Sequence, residues 1–209
     1  MSVRDHKKAA TRRALVDAAL ARFHAQGFDA TTLDDICADA GVARRTFFRY
    51  FGSKEELVFP HRADRLSRFT ELLDGTPADE SPLLCLHVIA QIFAKEYSQH
   101  RRQLIARQRL IDAVPALRAR EREIDEDWEQ AMAKAFHRYF ASAGDGMKSA
   151  SRRVKADGAR IDLRARVLAG GAIGVIRATM RYWFDHNGRP DLAELGARAI
   201  DHLESGFIR

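Results

Sequence analysis

The sequence predicts an all-α chain of about nine helices, a short N-terminal three-helix unit followed by a larger helical part. Three observations predict this class. Almost every segment repeats its apolar residues at the helical period. Alanine, leucine, arginine and glutamate dominate long stretches, and all four favour helix. Only five prolines and thirteen glycines occur in 209 residues, too few for a loop-rich all-β fold, while a hydrophobic fraction of 46% suffices for a core.

In the first helix Val16, Ala19, Leu20 and Phe23 form one stripe. Gly27 follows as a C′ glycine, with Phe28 behind it as the apolar residue that accompanies such a cap. Thr31 and Thr32 open a second helix. Thr32 and Asp35 have capping-box spacing, with Asp in place of the usual Glu, and Asp34 and Asp35 suit the positive end of the helix dipole. That helix stops at Gly41. A third short helix covers Arg44 to Tyr50 and ends at Gly52-Ser53. Ser53 and Glu56 predict a better capping box for a fourth helix. Pro60 lacks an N–H and crowds the preceding turn, which predicts a break near Val58 to Pro60.

Leu66, Phe69, Leu72 and Leu73 then resume a helical stripe. Residues 74–82, DGTPADESP, read as a linker. Further helices are predicted over 82–99, 102–113 and 115–141, with Pro115 suited to a helix start. Residues 142–160 carry Gly144, Gly146 and Gly158 and predict a mobile loop. A long apolar helix over 161–186 is broken at His186-Asn187-Gly188-Arg189-Pro190, and a last helix covers 191–206. The small residues of Gly170-Gly171-Ala172-Ile173-Gly174 lie inside a helix pattern with no strand before them. They predict close helix approach and not a dinucleotide loop.

Composition narrows the function classes. A net charge of +6 permits an acidic partner such as nucleic acid without requiring one. Cys37 and Cys85 stand far apart, which suits a reducing cytoplasm and gives no disulfide framework. The polar N-terminus has no apolar signal core, and the longest uncharged apolar run, Val167 to Ile176, is too short to span a bilayer. A soluble cytoplasmic protein with no membrane partner is expected. None of the eight histidines forms a paired metal motif, and there is no nucleophile elbow or phosphate loop. Neither an enzyme, nor a cofactor, nor a metal site is expected.

The stretch RRTFFRYFGSK, residues 44–54, joins arginines and aromatics without an acid. Helix, turn at Gly41-Val42-Ala43 and short helix give helix-turn-helix spacing. At about 100° per residue, Phe51 falls nearly above Phe47, while Arg45 and Arg49 land together on the opposite face. Phe47 and Phe51 are therefore expected in the core with Ile36, Ala40 and Val42, and Phe48 and Tyr50 on the flank. Outward arginines can read guanine O6 and N7 or neutralise phosphates. Lys54 and the helix start at Thr32 are placed to hold phosphates. Arg4, Lys7, Lys8, Arg12 and Arg13 add unspecific positive charge.

Gly27-Phe28, Thr31-Thr32, Ile36, Ala40-Gly41-Val42, Thr46 to Phe51 and Ser53 to Leu57, in this order, resemble the DNA-binding domain of TetR-type (TetR/AcrR family) transcriptional regulators. The resemblance covers about residues 10 to 60, because many spaced positions agree. It implies a helix-turn-helix domain over 1–58 and a helical ligand-binding and dimerisation domain over 59–209. It further implies DNA contacts from Thr32, Arg44, Arg45, Thr46, Phe48, Arg49, Tyr50 and Lys54. Phe48 departs from the family's usual tyrosine and lacks the hydroxyl that would reach a phosphate. Arg44-Arg45 replace smaller or mixed residues, which suggests a guanine-containing half-site. Cys37 stands where a small alanine is usual and reads as a buried small residue.

By the same resemblance, the helices after residue 82 would enclose an effector. Phe93, Tyr97, Trp128, Met132, Phe136, Ile173, Arg177, Met180 and Trp183 are the candidate lining residues, and for each singly, Arg177 excepted, plain core packing is the commoner role. Arg177 lies within the most apolar helix and could either snorkel to solvent or meet an anionic ligand. The helices over 161–186 and 191–206 resemble the pair that builds the family's homodimer interface. Two recognition helices about 34 Å apart then read a palindromic double-stranded DNA operator. RRTFFRYF and the long polar loop also resemble the regulators of the mycofactocin system, which implies acyl-CoA-like ligands. The expected function is a ligand-released repressor in a bacterial cytoplasm. The alternatives are a DNA-binding activator and an architectural DNA-binding protein without an effector.

Overall fold

The computed structural model describes residues 3–75, 77, 80, 82–144 and 160–205. Among these every regular element is helical: α1 (Val3–Gln26), α2 (Leu33–Asp39), α3 (Arg44–Phe48), a 3-10 turn (Glu55–Val58), α4 (Arg62–Asp74), α5 (Pro82–Gln99), α6 (Arg101–Ala113), α7 (Pro115–Gly144), α8 (Leu163–Asp185) and α9 (Leu192–Ser205). The fold is all-α, as expected. The loop predicted over 142–160 lies largely outside the described residues, as do several positions of the 74–82 linker. The chain forms two compact units, Met1–Arg62 with Ala106–Arg122, and Ala63–Ile105 with Glu123–Arg209. The stretch 106–122 thus clusters with the N-terminal helices although it follows residue 59 in the chain.

In the first unit, α1 buries Leu15, Val16, Ala19 and Phe23, so Leu15 joins the predicted stripe while Leu20 is only partly buried. These pack with Ile36 and Cys37 of α2, Phe47 of α3 and Phe51. Gly27 takes φ +86, and its N–H reaches the Phe23 carbonyl at 3.1 Å, closing α1 as a left-handed cap. The capping box at Thr32 is complete. The Thr32 hydroxyl accepts from Asp35 N–H at 3.1 Å, and the Asp35 carboxylate accepts from Thr32 N–H at 3.0 Å.

The box predicted at Ser53 and Glu56 is not formed. Pro60 limits the segment to a single 3-10 turn whose N-cap is Lys54, with no side-chain cap. The Glu56 carboxylate instead accepts from Gly52 N–H at 2.9 Å. The predicted break is present, since the 3-10 turn ends at Val58 and α4 begins at Arg62.

The second unit is built on Phe69, Leu86, Ile89, Met132, Phe136 and Ile173. A Cβ on Gly171 would stand 3.2 Å from Leu203 Cδ1, so α8 and α9 approach closely there, as the small residues predicted. Asn187 and Gly188 take φ of 54 and 64 and turn the chain between α8 and α9. Fully buried Trp183 fixes this turn by donating its indole N–H to the Pro190 carbonyl at 3.1 Å.

Candidate functional site

The helix-turn-helix is set by side chains that point inward. Phe47 is fully buried and Phe51 nearly so, with ring centroids 5.9 Å apart. Arg45 and Arg49 are exposed, so the two faces of α3 divide as the helical arithmetic predicts. α2 is fastened to α1 by a two-pronged ion pair, with Arg22 Nε 2.5 Å and Nη2 2.8 Å from the two oxygens of Asp39. The same pair holds the Asp39 carboxyl below its ordinary range, chiefly through the hydrogen bond from Arg22.

The expected DNA-contacting residues fall into two groups. Thr32, Arg44, Arg45, Phe48 and Arg49 are exposed, and Thr46 and Tyr50 are partly so. Phe48 is 51% exposed, a high value for a phenylalanine, and its ring stands edge-on to Phe47 at 5.2 Å. The guanidinium of Arg44 lies 5.9 Å from the Phe48 ring centre, and that of Arg49 lies 5.0 Å from the Tyr50 ring centre. Apolar rings thus flank the arginines on the outer surface. Arg44 Nη1 also lies 3.2 Å from each oxygen of Asp34 on α2.

Lys54 has other work. Its ammonium donates to the carbonyls of Phe28 at 2.7 Å and Thr31 at 2.9 Å and sits 4.2 Å from the Phe28 ring centre. It therefore closes the loop between α1 and α2. An ammonium has three donors, so one is left for a phosphate. Cys37 is buried, and loss of hydration pushes its thiol upward in pKa, away from the reactive thiolate.

In the second unit, some of the expected effector-lining residues meet. Phe93 stands 6.3 Å from Trp128 and 6.4 Å from Tyr97, and Phe69 stands 5.0 Å from Trp128, by ring centres. Two arginines of α4 border this aromatic group. Arg65 donates to the Tyr97 hydroxyl at 2.7 Å, and Arg68 pairs with Glu96 while lying 5.7 Å from the Phe93 ring centre. Arg65 and Arg68 were not singled out from the sequence, and Phe69 only as part of the helical stripe. Their signal is the i, i+3, i+4 spacing on α4, which places all three on one side of that helix.

Met132 and Phe136 are fully buried in the main core, and Ile173 packs with them. Met180 packs near Trp183 and Tyr97 in a smaller cluster. Arg177 is 63% exposed and lies 3.8 Å from Asp125 of α7. Burial pushes the Asp125 carboxyl up, and Arg177 offsets only part of that.

Comparison with known proteins agrees with this geometry. Residues 15–59 match the bacterial regulatory proteins of the tetR family. Over 97% of its length the chain is 26% identical to the mycofactocin biosynthesis transcriptional regulator MftR, so named provisionally, of Mycobacterium tuberculosis, covering 94% of that protein. It is 32% identical to the HTH-type transcriptional regulator TcmR of Streptomyces glaucescens, over 63% of this chain and 61% of that one. The fold is similar to that of FadR from Bacillus subtilis, solved in complex with stearoyl-CoA. The TM-score is 0.59 at 19% identity, over 94% of this chain and 99% of that one. Residues 15–59 therefore form a helix-turn-helix of the tetR type, in a chain that is similar over nearly its whole length to a transcriptional regulator.

Proposed function

We propose that this regulator is a repressor that binds a palindromic operator as a homodimer and is released by a small amphipathic effector. The observation that carries the reading is the division of α3, with Phe47 buried and Arg45 and Arg49 exposed together. Arg45 and Arg49 read bases or phosphates in the major groove, while Arg44, Thr46, Phe48 and Tyr50 support them at the rim. Thr32 and Lys54 hold backbone phosphates. Five residues of helix read too few base pairs for specificity, so a second copy is needed. Its docking is supported by Leu163 and Val167 of α8, four residues apart and 73% and 66% exposed. Such a pair gains from burial against its own symmetry mate.

We assign the effector to the aromatic group of Phe93, Tyr97 and Trp128, with Met132, Phe136 and Met180 as further lining residues. Rings with two neighbouring guanidinium groups suit an apolar chain that carries an acidic head. The stearoyl-CoA of the similar Bacillus subtilis structure belongs to that class. Selection from a random DNA pool, followed by anisotropy titration, tests the operator. The selected duplex should be palindromic with guanine in each half-site, and Arg45→Ala with Arg49→Ala should abolish specific binding at unchanged melting temperature. Loss of the fold in that variant, or half-sites of A and T alone, would count against it. Acyl-CoAs of graded length should raise the melting temperature and release the duplex together.

A further inference from the structure

His87 of α5 and Asp201 and Glu204 of α9 bring three ligand-bearing side chains to one place. One ligand atom of each lies within 4.8 Å of the other two. His87 Nε2 is already 3.4 Å from Asp201 Oδ1. Two ligand atoms held at about 2.0–2.1 Å from a tetrahedral zinc stand about 3.3 Å apart, so this pair has the spacing that the ion requires. Asp201 and Glu204 are three residues apart on α9, which puts both carboxylates on one face. Without a cation they repel each other.

The backbones beneath are held independently of the cluster. Gly196 lets α9 approach Ala90 of α5, where a Cβ would stand at 3.6 Å, and Gln91 donates to the Ala193 carbonyl at 3.2 Å. The imidazole is three-quarters covered, with 23% of the side chain exposed, so its ring is restrained, while Asp201 is 65% exposed. Asp201 and Glu204 are both exposed, which leaves their carboxylates free to turn toward an ion.

We propose that His87, Asp201 and Glu204 bind one divalent cation of the zinc class, which staples α5 to α9. One imidazole and two carboxylates supply three ligands, and water completes the tetrahedron. The cation neutralises the acidic pair and joins helices from opposite ends of the second unit's sequence. None of the three ligands belongs to the aromatic group or to the helix-turn-helix, so the proposal does not depend on the proposed effector or operator.

The test is calorimetric titration of the full chain, first freed of metal with a chelator, with zinc chloride. The expected result is one saturable zinc per chain together with a rise in melting temperature. His87→Gln and Glu204→Gln should each weaken binding at least tenfold, while leaving the metal-free melting temperature within a few degrees of the parent. The absence of saturable binding in the parent chain would overturn the proposal. So would equal binding by both variants, which would assign the zinc to other histidines.

Discussion

Arg44 of α3 faces Asp34 of α2, its Nη1 3.2 Å from both carboxylate oxygens. Both side chains are more than half exposed, so the pair adds little to stability. Its consequence is electrostatic. Beside the proposed reading edge, a carboxylate would oppose every phosphate and hold Arg44 until a better acceptor arrives. Asp34→Asn should therefore raise affinity for the selected operator and for a random duplex by similar factors, several-fold at low salt. Anisotropy titrations of both duplexes at two salt concentrations check this. A gain confined to the operator would show that Asp34 acts on base reading and not on general charge.

Lys54 makes a different kind of prediction. Its two carbonyl acceptors, Phe28 and Thr31, belong to the loop between α1 and α2, and Thr31 is buried. Lys54→Met keeps the aliphatic stem but leaves those carbonyls without the ammonium. Losing charged hydrogen bonds of this kind should cost about 1.5–3 kcal/mol in urea unfolding. DNA affinity should fall as well, by more than loss of one phosphate contact explains, because the loop sets the start of α2. An unchanged urea midpoint with weaker DNA binding would make Lys54 a phosphate ligand only.

The contrast between Lys54 and α3 shows what the sequence could and could not disclose. Phe47, Phe51, Arg45 and Arg49 sort correctly because helical geometry alone decides their faces. The acceptors of Lys54 are backbone carbonyls more than twenty residues earlier, and a carbonyl carries no sequence signature. The two capping boxes fail and succeed for a related reason. Thr32 and Asp35 need only one helical turn to meet, whereas Ser53 and Glu56 needed an α-helix that Pro60 does not permit. His87 and its carboxylates lie over a hundred residues apart, so only the packing of α5 on α9 brings them together. Arg65 and Arg68 were legible in principle from α4 spacing, but only Trp128 and Phe93 reveal what that helix faces.

The Thr32–Asp35 box makes stability depend on acid. Hydrogen bonds from the Thr32 hydroxyl and then from its N–H hold the Asp35 carboxyl below its ordinary value of 3.8. A depressed carboxylate contributes stability that is present above that ordinary value. It is lost as pH falls through the folded value. Thr32→Ala removes the acceptor for Asp35 N–H and should cost about 1 kcal/mol at neutral pH. The difference between parent and variant should narrow below about pH 4. Melting temperatures from pH 3 to 7 check it, and a gap that widens in acid would contradict the assignment.

Asp125 carries the opposite sign. Burial raises its carboxyl above the ordinary value of 3.8, and the Arg177 guanidinium at 3.8 Å lowers it only in part. The folded chain therefore binds a proton at Asp125 more readily than the unfolded chain does. Its charge costs stability at neutral pH, and the cost is relieved as pH falls through the folded value. Asp125→Asn should leave the melting temperature unchanged or higher at pH 7.5, and the benefit should vanish near pH 4. Arg177 is mostly exposed, so Arg177→Ala should cost under about 1 kcal/mol in the parent and nothing in the Asp125→Asn background. A fall of several degrees in Asp125→Asn alone at neutral pH would mean that the charged pair holds α7 to α8. The screened, solvent-facing geometry of Arg177 argues against that outcome.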